Sequence, residues 1–147
     1  MSSATFFGHR DFDYYPYKSK LQAIIIDLIR NHGVTEFYNG FRGSFDGLCA
    51  EIVFDLKAAY PTIKNILVLS YYNHQNSTLS KLFDESVYLL EKRVPPQYAI
   101  YYTNQEMILR TDFIVSGVRY RYGGAYTACN FAIRNKKIIL EIFEDNK

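Results

Sequence analysis

Three glycine-marked turns follow apolar runs in this chain, and residues able to hold an anionic ligand stand beside each turn. The turns cover 6–10 (FFGHR), 37–43 (FYNGFRG) and 117–124 (GVRYRYGG). In α/β domains, a strand, a glycine turn and a helix together present free backbone N–H groups to phosphate. The pattern therefore predicts a nucleotide-type ligand at one sheet edge, and it indicates binding more firmly than catalysis.

The second turn carries the most complete set of ligand-binding residue types. Gly40 and Gly43 permit a tight turn and the close approach of a ligand. Arg42 can grip a phosphate or a carboxylate through two parallel hydrogen bonds. Asp46 falls at the start of the next predicted helix, where it could cap the helix or bind a ribose hydroxyl. An ordinary βα loop with a capping aspartate would have the same local sequence.

The third turn ends in Gly123 and Gly124, with Thr127 offering a hydroxyl at the predicted helix start. A phosphate bound there would meet free N–H groups and the positive end of the helix dipole. In the first turn, Gly8 precedes His9 and Arg10. His9 could act as an acid, a base or a hydrogen-bond donor, although a single loop histidine is more often structural.

The sequence offers little for nucleophilic catalysis or metal binding. It contains no Gly-x-Ser-x-Gly elbow, no Walker P-loop and no full GxGxxG after the first strand. Cys49 and Cys129 lie far apart in apolar helical stretches, which predicts buried reduced thiols and no metal site. Four carboxylates near the turns could serve as bases: Asp11, Asp13, Asp46 and Asp112.

The elements that must position these turns alternate between strand and helix patterns. Strands are predicted over 4–8, 35–38, 65–72, 98–102, 112–118 and 138–143. Helices are predicted over 19–32, 45–60, 80–92, 104–110 and 125–134. This alternation predicts a single α/β domain over 1–147, with a mostly parallel sheet of about six strands and helices on both faces.

Composition narrows the possible partners. The 147 residues carry a net charge of only +2, which argues against nucleic acid as a partner. The 14 tyrosines could stack on bases, although strand preference explains them as well. The tyrosine-rich stretch 11–17 fits a lid, a partner surface or an ordinary loop. The first residues lack a signal-peptide pattern and no apolar run reaches transmembrane length, so we expect a cytoplasmic protein without membrane contact.

Four segments in order resemble the YpsA-type branch of the SLOG superfamily: TFFGHRDF, FYNGFRGSFDGLCAE, TNQEMILRTDFIVSGV and GGAYTACNFAIRNKK. That superfamily joins the Rossmann domain of DNA-processing protein A with the Lonely Guy phosphoribohydrolases. The resemblance covers about 5–142 and implies a Rossmann-like three-layer fold. It also implies a nucleotide-type ligand, such as ADP-ribose or another NAD-related molecule, and no certain cofactor. By motif match, the implied binding set is Gly8, His9, Arg10, Gly40, Arg42, Gly43, Asp46, Asn104, Gly123, Gly124 and Thr127.

One departure from the superfamily bears on mechanism. The phosphoribohydrolases carry a PGGxGTxxE motif whose glutamate helps cleave the N-glycosidic bond. Here Tyr122 replaces the proline, Tyr126 the second-turn glycine and Asn130 the glutamate. An amide cannot act as a carboxylate base, so the resemblance implies a phosphate cradle without that hydrolysis.

The main hypothesis is therefore a protein that binds or senses a nucleotide or a nucleotide derivative. One alternative is a phosphoribohydrolase-like hydrolase in which Asp46 or Glu51 replaces the missing glutamate. Another is a DNA-associated module, by analogy with the DNA-processing relatives. A homodimer is compatible with each, because the superfamily often pairs its subunits.

Overall fold

The middle layer of the molecule is a parallel β-sheet. The computed structural model describes residues 2–71 and 81–143, and six strands within them pair in the order β4-β3-β2-β1-β5-β6. All five pairings are parallel. The strands are β1 Ser2–Gly8, β2 Val34–Asn39, β3 Lys64–Leu69, β4 Glu85–Tyr88, β5 Phe113–Gly117 and β6 Ile138–Glu141.

Two pairs of helices cover the faces of the sheet. They are α1 Lys18–His32, α2 Ser44–Leu56, α3 Ala99–Arg110 and α4 Gly124–Arg134. Successive side chains of a strand point to opposite faces, so Phe6 packs in the core beneath α1 and α2. Phe7 packs in the second core, beneath α3 and α4. The predicted three-layer α/β fold is therefore confirmed.

The sequence pattern of α1 shows why the first helix forms where it was predicted. Leu21, Ile25 and Leu28 recur at helical spacing and are fully buried against the sheet. The helix ends at Gly33, whose φ of 65° is the left-handed conformation that favours glycine. Val34 then opens β2 directly, so the end of α1 sets the start of the second strand.

Two element predictions are wrong: one predicted strand is helical, and one predicted helix contains a strand. The segment 98–102 was predicted as a strand but forms a 3₁₀ turn and the first residues of α3. Ala99, Thr103 and Met107 are buried at helical spacing, which outweighs the strand preference of its tyrosines. The segment 80–92 was predicted as a helix, yet it contains β4, because parallel pairing with β3 orders it as an edge strand. Residue 80 lies outside the described ranges.

None of the helices in the described part of the chain is both long enough and apolar enough to cross a membrane.

Candidate functional site

The carboxyl ends of β1, β2 and β5 surround a cleft of about 510 Å³. The strand order reverses beside β1, because β2 lies on one side of it and β5 on the other. In open α/β sheets, ligands bind in the crevice that such a reversal opens outside the strand ends. The glycine turns after these three strands are thus brought to the edge of the sheet where the sequence predicted them to meet.

One wall of the cleft is the amino end of α4. Gly123 is the N-cap residue, with φ 94°, and no side chain caps the helix. A Cβ added at Gly123 or Gly124 would meet no atom within 4 Å, so this wall is open. Uncapped N–H groups and the positive end of the helix dipole together favour an anion. The wall has the chemistry of a phosphate site.

Arg42 crosses the cleft and joins three elements. Its Nη1 donates a hydrogen bond to Oδ1 of Asn104 on α3 (3.0 Å), and its Nη2 donates to the Ser70 hydroxyl after β3. The guanidinium lies over Gly40, where a Cβ would come within 2.8 Å of Nη1. Burial lowers the pKa of Arg42, but a guanidinium remains charged at neutral pH. The side chain therefore supplies a fixed, largely desolvated positive charge.

Asp46 is a carboxylate placed beside this charge. Its Oδ2 accepts the backbone N–H of Arg42 at 3.0 Å. Burial raises the pKa of Asp46 to about 6, against the opposing effects of that N–H and of the Arg42 and Arg10 charges. The N-cap of α2 is Gly43, so Asp46 holds the turn before the helix and is not the N-cap. A contact with a ribose hydroxyl remains a prediction.

His9 ties the loop after β1 to the loop after β5. Its Nε2 accepts the backbone N–H groups of Arg119 (2.8 Å) and Tyr120 (3.0 Å). Both donors point at the same nitrogen, so Nε2 carries no proton and the neutral ring holds its proton on Nδ1. Burial lowers the pKa of His9, which favours this neutral form. His9 therefore has a structural role in the cleft wall.

Two exposed tyrosines stand on the loop that His9 holds. Tyr120 and Tyr122 are stacked, with ring centroids 5.6 Å apart and planes 15° apart. They are 44% and 67% exposed and both line the cleft. Exposed aromatic faces of this kind are the platforms on which proteins stack nucleobases. The sequence analysis considered base stacking by tyrosines in general but did not single out this pair, whose only signal is Tyr-x-Tyr inside a glycine turn.

The tyrosines of the stretch 11–17 differ in burial and in role. Tyr14 is buried, and its hydroxyl donates to the Gly117 carbonyl at 2.5 Å and accepts the His9 backbone N–H at 2.8 Å. This residue therefore fastens the end of β1 to the end of β5. Tyr15 is exposed, so the segment is neither wholly a lid nor wholly a surface.

The cleft brings together eight of the residues in the predicted binding set: Gly8, His9, Arg10, Arg42, Asp46, Asn104, Gly123 and Gly124. Three others do not line it. Gly40 lies under the Arg42 side chain, and Gly43, with φ 148°, lies against the Cα of Arg10. The Thr127 hydroxyl donates back to the Gly123 carbonyl at 3.1 Å. Phe12 and Ile100 line the cleft without having been predicted.

Neither cysteine thiol lines the cleft. Cys49 and Cys129 are free and buried in helices, as the sequence predicted. Burial raises the pKa of both thiols, that of Cys129 to about 11. Asn130, at the position of the hydrolase glutamate, lies within α4.

The fold matches solved structures of DNA processing protein A. No family model and no curated protein matches the chain. DNA processing protein A from Streptococcus pneumoniae superposes with a TM-score of 0.69 at 12% identity, over 96% of this chain and 50% of that one. DNA processing protein A from Helicobacter pylori, described for its single-stranded DNA binding mode, gives 0.67 at 15% identity, over 95% and 64%. This chain shares their fold.

These matches confirm the predicted Rossmann-like fold and its likeness to the fold of DNA processing protein A. The YpsA-type branch remains a prediction. The chain spans about half to two thirds of the length of these two proteins.

The expectation that nucleic acid is an unlikely partner is wrong, because this fold also occurs in a protein that binds single-stranded DNA. Net charge averages over the whole surface, whereas binding depends on the few charges beside the cleft.

Proposed function

We propose that this chain binds single-stranded DNA in the cleft at the carboxyl ends of β1, β2 and β5. One observation carries the proposal: guanidinium groups, an uncapped helix amino end and a stacked tyrosine pair line the same cleft. Cations that follow a phosphate backbone, together with aromatic faces for the bases, are what single-strand binding requires. The shared fold with a single-stranded DNA-binding protein supports the same assignment.

The residues divide into two functional sets. Arg10, Arg42 and the amino end of α4 supply positive potential for phosphate groups. Tyr120 and Tyr122 supply the faces on which an unpaired base stacks. A duplex hides its base faces, so this division favours single strands over duplex DNA.

The test measures fluorescence anisotropy of labelled oligothymidylates, with a duplex of equal length as a competitor. Arg10→Ala removes an exposed cation at the cleft. The matched control is Arg30→Ala, which removes an exposed cation from the last turn of α1. We expect single-strand affinity to fall several-fold in Arg10→Ala alone. Equal affinity for duplex and single strand, or equal losses in both variants, would contradict the proposal.

A free nucleotide or nucleotide derivative is the second candidate ligand. The cleft volume of about 510 Å³ lies within the ~300–1,000 Å³ typical of small-molecule sites, and its α4 wall suits a phosphate. AMP, ADP-ribose and NAD can be compared with oligonucleotides by their thermal stabilisation of the protein. Stabilisation by one of them at micromolar concentration, without oligonucleotide binding, would favour this candidate.

A further inference from the structure

We propose that a second, smaller groove between α3 and α4 takes one pyrimidine base of the strand bound in the main cleft. This inference rests on the proposed function. The groove has a volume of about 180 Å³, roughly six times the ~30 Å³ of a liquid water molecule, and its walls are mainly apolar. Ile100, Asn104 and Gly124 line both the groove and the main cleft, so the two spaces are continuous.

Asn104 supplies a hydrogen-bond donor at the junction. The residue is only 8% exposed, and its Oδ1 is occupied by the Arg42 guanidinium. Its Nδ2 donates to no residue within 2–71 or 81–143. The amide N–H is not a buried orphan, so an acceptor on a ligand would bind it in place of water and gain a net hydrogen bond. The ring carbonyl of a pyrimidine, next to its flat apolar face, is such an acceptor.

The walls of the groove suit a flat ring. Tyr101 on α3 and Phe131 on α4 stand on its two sides, and Ala128 lies at the base. The Arg134 guanidinium lies 6.0 Å from the centroid of the Phe131 ring, so a cation stands at the rim where a backbone phosphate would pass. Aromatic walls, one amide donor and a rim cation fit a base of a polyanion better than a lipid chain or an apolar peptide.

The experiment couples a base deletion to a groove-filling substitution. A series of oligothymidylates carries one abasic site at each successive position. Their length is the shortest that binds with full affinity, because such a strand cannot slide along the cleft without losing contacts. In the unmodified protein, we expect an abasic site at one position to lower the oligonucleotide affinity about tenfold, in addition to the position whose base stacks on the tyrosine pair. In Ala128→Met, which fills the groove, the abasic site at that same position should change affinity less than about twofold.

The matched control is Ile133→Met, a change on the same helix at a residue that is 61% exposed and outside the groove. It should retain the tenfold loss. Tyr101→Ala, at a residue 46% exposed, removes a wall without filling the interior and repeats the test if Ala128→Met does not fold. The affinity of Tyr101→Ala for the unmodified oligothymidylate should fall. The loss of affinity caused by the abasic site at the sensitive position should be smaller than in the unmodified protein.

The outcomes separate the two proposals. Oligonucleotide binding in which the abasic loss is the same in Ala128→Met as in the unmodified protein would overturn the groove assignment alone. A uniform loss at every abasic position would do the same. Absence of binding to any oligonucleotide would overturn the proposed function and the groove together.

Discussion

At the scale of single residues, the cleft depends on the charge states of two groups, His9 and Asp46. His9 accepts two backbone N–H groups only while it is neutral. Asp46 lies beside Arg42, and burial raises its pKa to about 6. Protonation of His9 at low pH therefore weakens its hold on the loop that carries Tyr120 and Tyr122 (the tyrosine loop). A rise in pH through about 6 places an unfavourable buried charge on Asp46.

His9→Phe should destabilise the protein at pH 8, because it keeps an aromatic ring but removes the acceptor for two N–H groups. Both hydrogen bonds are exposed to solvent, so the expected loss is about 0.5–1.5 kcal/mol in urea unfolding. The pKa of His9 is lowered in the folded state, so its contribution is present above about pH 6.5 and is lost as pH falls through the folded pKa. The difference between the variant and the unmodified protein should therefore shrink at pH 5.

His9→Gln is the informative companion, because its amide oxygen can accept a hydrogen bond. We expect it to recover part of the lost stability and of the oligonucleotide affinity. Arg119 and Tyr120 contact His9, and Asp46, with a pKa of about 6, lines the same cleft. Each pH series therefore also needs Asp46→Asn as a background. A difference between His9→Phe and the unmodified protein that stays constant with pH would contradict the role given to Nε2.

Asp46→Asn should stabilise the protein at pH 7.5. The amide oxygen can still accept the Arg42 N–H, but no charge is buried. Because the folded pKa is raised, the unmodified protein is favoured by this group below about pH 4 and loses that stability as pH rises to about 6. The advantage of the variant should grow across this interval, reach about 3 kcal/mol and then stay level. Chemical unfolding from pH 4 to 8 measures it, and a gain that is largest at pH 4 would contradict it.

At the scale of elements, the start of α2 is packed onto the ends of two central strands. The Phe45 ring fills the space left by glycines: a Cβ at Gly8 would lie 2.3 Å from its Cγ, and one at Gly117 would lie 2.5 Å from its Cε1. These glycines allow a helix to approach the strand ends closely. The sequence analysis placed Gly8 in the binding set and did not predict this packing role.

Gly117→Ala should destabilise the protein by about 1–3 kcal/mol, because the added methyl group also lies 3.0 Å from the Tyr14 ring and neither aromatic side chain has free space. Gly124→Ala is the control, since its Cβ would enter open space at a helix start. Thermal unfolding compares them. Addition of Phe45→Leu should recover part of the loss, and equal effects of both glycine substitutions would rule out the packing explanation.

At the scale of the whole molecule, the charges expected to bind a single strand lie beside the cleft, and the net charge does not reveal them. The net charge is +2, yet Arg10 and Arg42 line one cleft and Arg121 stands exposed on the tyrosine loop. Few cations release few counterions, so single-strand binding should depend only modestly on salt. Three contacts predict a slope of about −2 for log affinity against log salt concentration.

The slope can be measured by anisotropy between low and moderate salt. Arg10→Ala should make it shallower by about 0.7, the contribution of one phosphate contact to a single strand. A slope steeper than about −4 would require cations far from the cleft and would contradict this assignment. Light scattering in the same buffers tests whether two copies of the chain associate. Limited proteolysis tests the predicted single-domain organisation.

The sequence determined the layers of this protein and the meeting point of its loops. Apolar spacing in α1 and continuous apolar runs such as 66–69 are local signals, because a residue's period along the chain decides which face it buries. Glycine turns after parallel strands must meet at one edge of the sheet, so most of the cleft could be predicted. Resemblance extended this to Asn104, which no local pattern identifies.

Only the tertiary structure decided which turn residues face a ligand and which serve packing. Gly8 makes room for Phe45, Gly43 for Arg10, and Tyr14 is buried while Tyr120 and Tyr122 are exposed. The edge strand β4 likewise exists through its pairing with β3, and its own sequence was taken for a helix. The physical reason is the same in each case: these roles depend on contacts between residues far apart in the chain, and the local sequence does not contain those contacts.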